Sequence, residues 1–310
     1  MPKRTLILTC LMVAIILFTN AGVSPDVDAA SCRRGPACRD STSPRRRDPV
    51  ITAAGDISEP DPSAATRATA RLIRSIDPTI ALTLGDNQYP SAQVDDFRSG
   101  YDPTWGRFRS KTRPTLGNHE YDSSSNAAGY FRYFGRRAPN EYYSFNLGRW
   151  HLVSLDSNCG MTACGHGSAQ FRWLRHDLAT HPAGCTLAYW HHPRWTSAEE
   201  TGGSSQVAPF VRLLRGAHAE VILVGHVHNY ERFAAQSPSG ERSQRGLVEF
   251  VVGTGGKSLS PMGSAEDNSL VRNDESYGVL RMTLHPRSYD FAFHSVLDSD
   301  FRDSGSRRCH

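Results

Sequence analysis

Five apolar runs in this chain stop at residues that bind metal ions or carry protons. The run from Val50 leads into Gly55-Asp56, and the run through Leu84 leads into Gly85-Asp86, with Tyr89 three residues later. A third gives Asn118-His119-Glu120, a fourth His191-His192 and a fifth His226-Val227-His228. Turn chemistry accounts for Gly, Pro, Asn, Asp and Ser after a strand, but gives no reason for five histidines and a tyrosine there. Carboxylate, amide oxygen, imidazole and phenolate make a hard-to-borderline donor set suited to iron, zinc or manganese. No thiolate is among them, which argues against a structural zinc. One carboxylate can bridge two ions about 3.5–4 Å apart, the spacing of two-metal hydrolases.

Regular elements must bring these ends together. Val50 to Asp56 reads as a buried strand and a turn. Ala65, Ala68, Leu72 and Ile76 recur at helical spacing, with Asp61-Pro62 as the helix start. Buried strands follow at Thr79 to Asp86, before Asn118, at Cys185 to His192 and at Glu220 to His228. Tyr142 to Asn158 alternates like a hairpin running into a central strand. Ser168 to Thr180 and Ser205 to His218 read as helices, and the chain after Gly246 as mostly strands. Strand–helix alternation turning into strands implies an α/β layered sandwich, sheets inside and helices outside. Ligands collect at the carboxyl ends of such strands, where the polar residues of this sequence stand.

The ordered series "GD…GDNQY…GNHE…H-x-P…GHVH", continuing to "GHVHNYER", resembles the calcineurin-like metallophosphoesterases and, more narrowly, the purple acid phosphatases. It spans Pro49 to Phe233. Many metallophosphoesterases carry Asp-x-His as the first motif; here it is Asp56-Ile57-Ser58, and Tyr89 appears instead, as in the purple branch. The resemblance implies an α/β fold, a four-layer αββα metallophosphoesterase sandwich with two mixed central sheets. It implies two metal ions, Fe(III) plus a divalent Zn, Mn or Fe. Asp56, Tyr89 and His228 hold one and Asn118, His191 and His226 the other, with Asp86 shared between them. His119 would face the substrate as catalytic acid, or else hydrogen-bond to a metal ligand, and His192 would contact substrate or pack. The function implied is a secreted dinuclear phosphoesterase that hydrolyses phosphate monoesters by metal-activated hydroxide attack. Phosphodiesters or nucleotides are the alternative substrates, and a non-catalytic secreted binding module the alternative class.

Two stretches imitate other sites. "VVGTGGKS", Val251 to Ser258, nearly spells a nucleotide phosphate loop, but Val251 occupies a Gly or Ala position and no helix pattern follows. Asp156-Ser157-Asn158 ends a strand and reads as a structural turn beside Cys159 and Cys164. His151, His166, His176, His181, His218, His285, His294 and His310 receive no role.

The ends of the chain differ from its body. Residues 1–29 read as a secretory signal peptide: Lys3 and Arg4, an apolar run from Thr5 to Phe18, then small residues. Residues 30–48 read as a basic Arg/Pro/Ser-rich linker, residues 49–298 as the metallophosphoesterase domain and residues 299–310 as a C-terminal tail. The 310-residue chain carries a net charge of +4. The first segment's Lys3 and Arg4 cancel Asp26 and Asp28, and the linker's six Arg against two Asp account for the whole excess. The body is therefore about neutral and offers no nucleic-acid footprint. Removal of the leader leaves no stable membrane insertion, and the expected partner is a phosphate ester substrate. Nothing in the sequence specifies an oligomeric state. Beyond Cys10, six cysteines in a secreted chain suggest disulfides. Cys159 with Cys164, Cys32 with Cys38 and Cys185 with Cys309 is one arrangement among the 15 that six cysteines allow.

Overall fold

The computed structural model describes residues 47–199 and 201–310. The leader, residues 30–46 of the linker, and Cys10, Cys32 and Cys38 lie outside the described residues. Residues 47–310 form one compact unit.

The strands are β1 (Val50–Ala54), β2 (Ile80–Leu84), β3 (Thr112–Thr115), β4 (Tyr143–Leu147), β5 (Trp150–Ser154), β6 (Cys185–Tyr189), β7 (Val221–Val224), β8 (Tyr230–Phe233), β9 (Val248–Val252), β10 (Ser269–Asn273), β11 (Gly278–His285), β12 (Ser288–Ser295) and β13 (Arg302–Arg308). The helices are α1 (Ala64–Ile76), α2 (Val94–Asp96), α3 (Ala128–Phe134), α4 (Ala169–Thr180) and α5 (Ala208–Gly216). One sheet has the order β13-β12-β11-β1-β2-β3 and the other β10-β8-β9-β7-β6-β5-β4. Both are mixed. In the first, β1, β2 and β3 run parallel while β11, β12 and β13 are antiparallel neighbours. In the second, β5, β6, β7 and β9 run parallel, with β4 and β8 antiparallel beside them.

Strand alternation produces the layers. Side chains of a strand point to opposite faces in turn. In β7, Val221 and Leu223 join one buried cluster with Ile51, Leu82 and Met282 of the other sheet. Ile222 and Val224 join a second cluster with Phe210, Val211 and Leu214 of α5 and Leu174 of α4. The seven-stranded sheet is thus covered on both faces, which is why β6, β7 and β9 read as unbroken apolar runs. The four-layer sandwich expected from sequence is the architecture of the chain.

Several boundaries differ from the sequence expectation. Helix α1 starts at Ala64 and not at Asp61-Pro62, because Ser63 caps it: its Oγ accepts the Thr66 N–H at 3.0 Å. The 299–310 segment is no tail. Arg302–Arg308 pairs along β12 from His294↔Arg302 to Ser288↔Arg308, and Cys309 is disulfide-bonded to Cys185. Its polar, charged sequence hid a strand because an edge strand satisfies the backbone without burying its side chains. The Cys159–Cys164 bond is also present. Among the described residues, no helix is long and apolar enough to cross a membrane.

Candidate metal centre

Loops meet at the carboxyl ends of β1, β2 and β3 in one sheet and β6, β7 and β9 in the other. Gly55 N–H donates to the Val252 carbonyl and Gly255 N–H to the Gly55 carbonyl, each at 2.9 Å, which stitches the two sheets here. Asp86 lies at the centre. Its Oδ2 accepts from Tyr89 Oη at 3.0 Å and lies 3.4 Å from His191 Nε2, while Oδ1 accepts the His119 backbone N–H at 3.0 Å. Tyr89 Oη also lies 3.1 Å from both Asp56 Oδ1 and His228 Nε2. Asn118 Oδ1 lies 3.1 Å from both His191 Nε2 and His226 Nδ1, which are 3.2 Å apart. The seven residues singled out from sequence therefore form two groups, Asp56–Tyr89–His228 and Asn118–His191–His226, on either side of Asp86.

The backbone is bent to make this approach. Asp56, Asp86 and His226 all have positive φ, at 59°, 45° and 72°. Such conformations are costly outside glycine and cluster at functional sites. Two glycines give the Asp86 carboxylate and the His191 ring room. A Cβ on Gly117 would stand 2.1 Å from Asp86 Oδ1, and one on Gly85 2.5 Å from His191 Nδ1. Glu120 then latches the two loops. Its carboxylate accepts the backbone N–H groups of Asp86, Asn87 and Gly117 at 3.0, 2.9 and 2.6 Å. Burial, then the Asp86 charge, pushes its carboxyl up to about 7, against the pull of the backbone N–H donors.

The imidazoles are oriented by what their outer nitrogens do. His191 Nδ1–H donates to the Leu84 carbonyl at 2.8 Å and His228 Nδ1–H to the Ser258 carbonyl at 2.7 Å. In both rings the Nε2 lone pair is left facing the cluster, the arrangement a metal requires. Burial works against charge on His191, but the Asp86 carboxylate overrides it and lifts the pKa to about 9. Burial likewise pushes Asp86 up, and the His191 charge outweighs that, holding the carboxyl well below its usual range. Burial and then the Asp56 and Asp86 carboxylates push the Tyr89 phenol well above its ordinary value. His226 falls to about 4 through burial and the His191 charge. Two buried carboxylates thus draw positive charge into one small volume, with oxygen and nitrogen donors converging on it. This donor set and the glycine-cleared space around it fit a pair of metal ions.

His119 and His192 flank the cluster. His119 Nδ1–H donates to the Pro90 carbonyl at 2.6 Å, and its Nε2 lies 3.8 Å from Asp86 Oδ2. The ring of His192 lies 4.3 Å from that of His226. Ser157, assigned no role from sequence, controls His192. Its Oγ accepts the backbone N–H groups of His191 and His192 at 3.3 and 2.9 Å and stands 2.9 Å from His192 Nδ1. With both lone pairs engaged, the hydroxyl donates its hydrogen to Nδ1, which leaves His192 neutral with the proton on Nε2. Burial and the neighbouring His191 and His226 charges lower the His192 pKa, in keeping with a neutral ring. The Gly-rich turn of "VVGTGGKS" ends β9 without a following helix, and its Lys257 Nζ stands 4.9 Å over the Tyr89 ring. Asp156 accepts from Tyr121 Oη at 2.6 Å and from the Asn158 N–H at 2.9 Å, the structural turn expected.

Residues 49–230 match the family described as calcineurin-like phosphoesterase. The chain belongs to that family. Among curated relatives, purple acid phosphatase 21 of Arabidopsis thaliana is 28% identical over 271 residues, covering 76% of this chain and 57% of its own length. The protein named probable inactive purple acid phosphatase 9, also of Arabidopsis thaliana, is 24% identical over 291 residues, covering 73% of this chain and 42% of its own. The chain spans about half the length of these relatives. Among solved structures, purple acid phosphatase PPD1 from yellow lupin (Lupinus luteus) seeds superposes with a TM-score of 0.61 at 17% identity, over 83% of this chain and 53% of that one. GAP50, the anchor in the inner membrane complex of Plasmodium, superposes with a TM-score of 0.65 at 15% identity, over 86% and 90%. At such identities the superpositions speak for the fold.

Proposed function

We propose that this calcineurin-like phosphoesterase is a secreted, dinuclear-metal hydrolase of phosphate monoesters. The observation that carries the proposal is the Asp86 carboxylate, approached at 3.0 Å by Tyr89 of one donor group and at 3.4 Å by His191 of the other. Asp56, Tyr89 and His228 would hold one ion and Asn118, His191 and His226 the second, with Asp86 available to both. Fe(III) suits the first group, where the phenol and two carboxylates are hard oxygen donors; a divalent Zn, Mn or Fe suits the imidazole-rich second. When bound, the two ions neutralise phosphoryl oxygens and activate water as the nucleophile.

The chain's own residues position and protonate. His192 presents Nε2–H as a neutral donor, oriented by Ser157, toward a phosphoryl oxygen. His119, held at Nδ1 by Pro90, delivers a proton from its other nitrogen to the leaving alkoxide. The two disulfides fit an oxidising, extracytoplasmic setting, as the N-terminal leader expectation does. Phosphodiester or nucleotide hydrolysis by the same residues is the second reading, since the donor groups bind phosphate and not the leaving group. Two relatives are named probable inactive, but every proposed ligand position here is filled, which favours an active centre.

The test is phosphate release from an alkyl phosphate, a nitrophenyl phosphate and a diester, by the wild type and His119→Ala. Release from both monoesters and little from the diester supports the proposal. His119→Ala then loses about 10²–10⁴-fold on the alkyl ester and much less on the nitrophenyl ester. Faster release from the diester overturns the monoester assignment, and no release from any of the three overturns catalysis.

A further inference from the structure

A second group of metal-binding side chains stands at the opposite end of β5 from the centre just described. His151, Asp177 and His181 each offer a donor atom, and these atoms lie within 4.8 Å of one another. His151 is in β5, Asp177 in the last turn of α4, and His181 directly follows that helix. Six residues of extended chain separate His151 from Ser157, roughly 20 Å at 3.3 Å per residue, so the two groups are separate.

The geometry is that of a built site. His151 Nε2 lies 2.8 Å from Asp177 Oδ2, and His181 Nδ1 lies 3.1 Å from Asp177 Oδ1. The two imidazole planes are within 7° of parallel with centroids 5.2 Å apart, so both rings flank one carboxylate. Each buried member has an outer partner. Asn146 Oδ1 stands 2.8 Å from His151 Nδ1, and Ser144 Oγ donates to Asp177 Oδ1 at 2.8 Å. An amide oxygen accepting from Nδ1–H leaves the Nε2 lone pair aimed at Asp177. Two electron-rich atoms at 2.8 Å need a proton or a cation between them. His151 is 1% exposed and the Asp177 side chain 5%, whereas His181 is 47% exposed, so the group is closed on the sheet side and open at His181. A cavity of 230 Å³ lined by Asn146, Trp150, His181 and Pro182 adjoins it.

We infer that His151, Asp177 and His181 form a zinc-binding site that fastens the end of α4 to the β4–β5 hairpin. Two imidazoles and one carboxylate are borderline donors of the kind zinc takes, and three protein ligands leave a fourth position for water. To hold an ion about 2.0–2.2 Å from each donor, the exposed His181 would turn its Nδ1 away from the Asp177 backbone carbonyl, which lies 3.0 Å from it. The inference does not rest on the phosphoesterase proposal, because none of the three residues touches the Asp86 cluster.

The test is zinc uptake by the purified, metal-loaded protein, counted after dialysis, for the wild type, His181→Ala and Asp86→Asn. His181 is on the surface, so its removal leaves the core intact. The expected result is one zinc per chain beyond the loaded metals in the wild type and in Asp86→Asn, and none in His181→Ala. Zinc also raises the melting temperature of the wild type and not of His181→Ala. A zinc-edge anomalous peak between the three side chains completes the assignment. Equal uptake by the wild type and His181→Ala, or no zinc beyond the loaded metals in the wild type, overturns it.

Discussion

The Tyr89 hydroxyl stands 3.1 Å from the Asp56 carboxylate and 3.0 Å from the Asp86 carboxylate, and links them. The phenol keeps its proton against both charges, since burial and those carboxylates raise its pKa far above the ordinary value. Tyr89 would give up that proton to hold a ferric ion in the proposed position, and a ferric phenolate would absorb visible light. The iron-loaded protein is expected to be coloured, and Tyr89→Phe to be folded and colourless by absorption and circular dichroism. A variant that keeps the visible band shows that Tyr89 does not ligate iron.

Ser157 is expected to act through His192. Ser157→Ala removes the hydroxyl that holds Nδ1 at 2.9 Å, so the ring is free to turn and to change tautomer. Loss of an outer hydrogen-bonding partner typically costs about 10–100-fold in activity. A fall of that size in kcat/KM is expected, with metal content unchanged and the His192 tautomer altered in nitrogen NMR. An unchanged kcat/KM removes Ser157 from the account.

The two disulfides are expected to differ in weight. Cys185–Cys309 joins residues 124 apart in sequence, and Cys159–Cys164 residues five apart. On a chain-entropy basis the long closure is worth about 5 kcal/mol and the short one about 2 kcal/mol. Denaturant unfolding of Cys309→Ser should therefore show the larger loss, with β13 detaching first in hydrogen exchange. A larger loss from Cys164→Ser contradicts this.

A histidine far from the centre supplies a pH dependence. His285 Nδ1 lies 2.6 Å from Asp48 Oδ2 and Nε2 lies 2.9 Å from Asp290 Oδ2. Hydrogen bonds to Asp290 and Asp48 raise its pKa above 6.5. Since the folded value is the higher one, the stabilisation is fully present below pH 6.5 and is lost as pH rises through the folded pKa. The pairs are exposed, so the effect on stability is small, and proton NMR of His285 is the direct readout. The midpoint is expected above 6.5 and to fall in Asp290→Asn; a wild-type midpoint at or below 6.5 contradicts the arrangement.

The seven proposed ligand positions were legible because histidines and a tyrosine, which turn chemistry does not ask for, recur at the ends of the same apolar runs that carry Asp56, Asp86 and Asn118. Strands β1, β2, β6, β7 and β9 were legible for the related reason that burial on both faces leaves few polar residues in them. What escaped was held by partners distant in sequence. Ser157 looks like a turn residue until His191 and His192 are brought against it, and Glu120, named from sequence only as part of a strand end, gains its role when it closes on the N–H groups of Asp86 and Gly117. Strand β13 exists because β12 offers it an edge, and β10 because β8 does. His151 and His181 are 30 residues apart and meet only because α4 returns to the sheet beside β5.

Metal bound per chain, measured by elemental analysis of the wild type and Asp86→Asn purified side by side, tests the central claim most directly. Asp86 lies between Tyr89 and His191, so in the proposed centre its carboxylate would touch both ions, whereas Asn118 or His228 would touch one. The substitution keeps the shape and removes the charge. The account predicts that Asp86→Asn binds two fewer ions per chain than the wild type while remaining folded. A loss of one ion, or of none, contradicts a shared carboxylate and with it the two-metal centre proposed here.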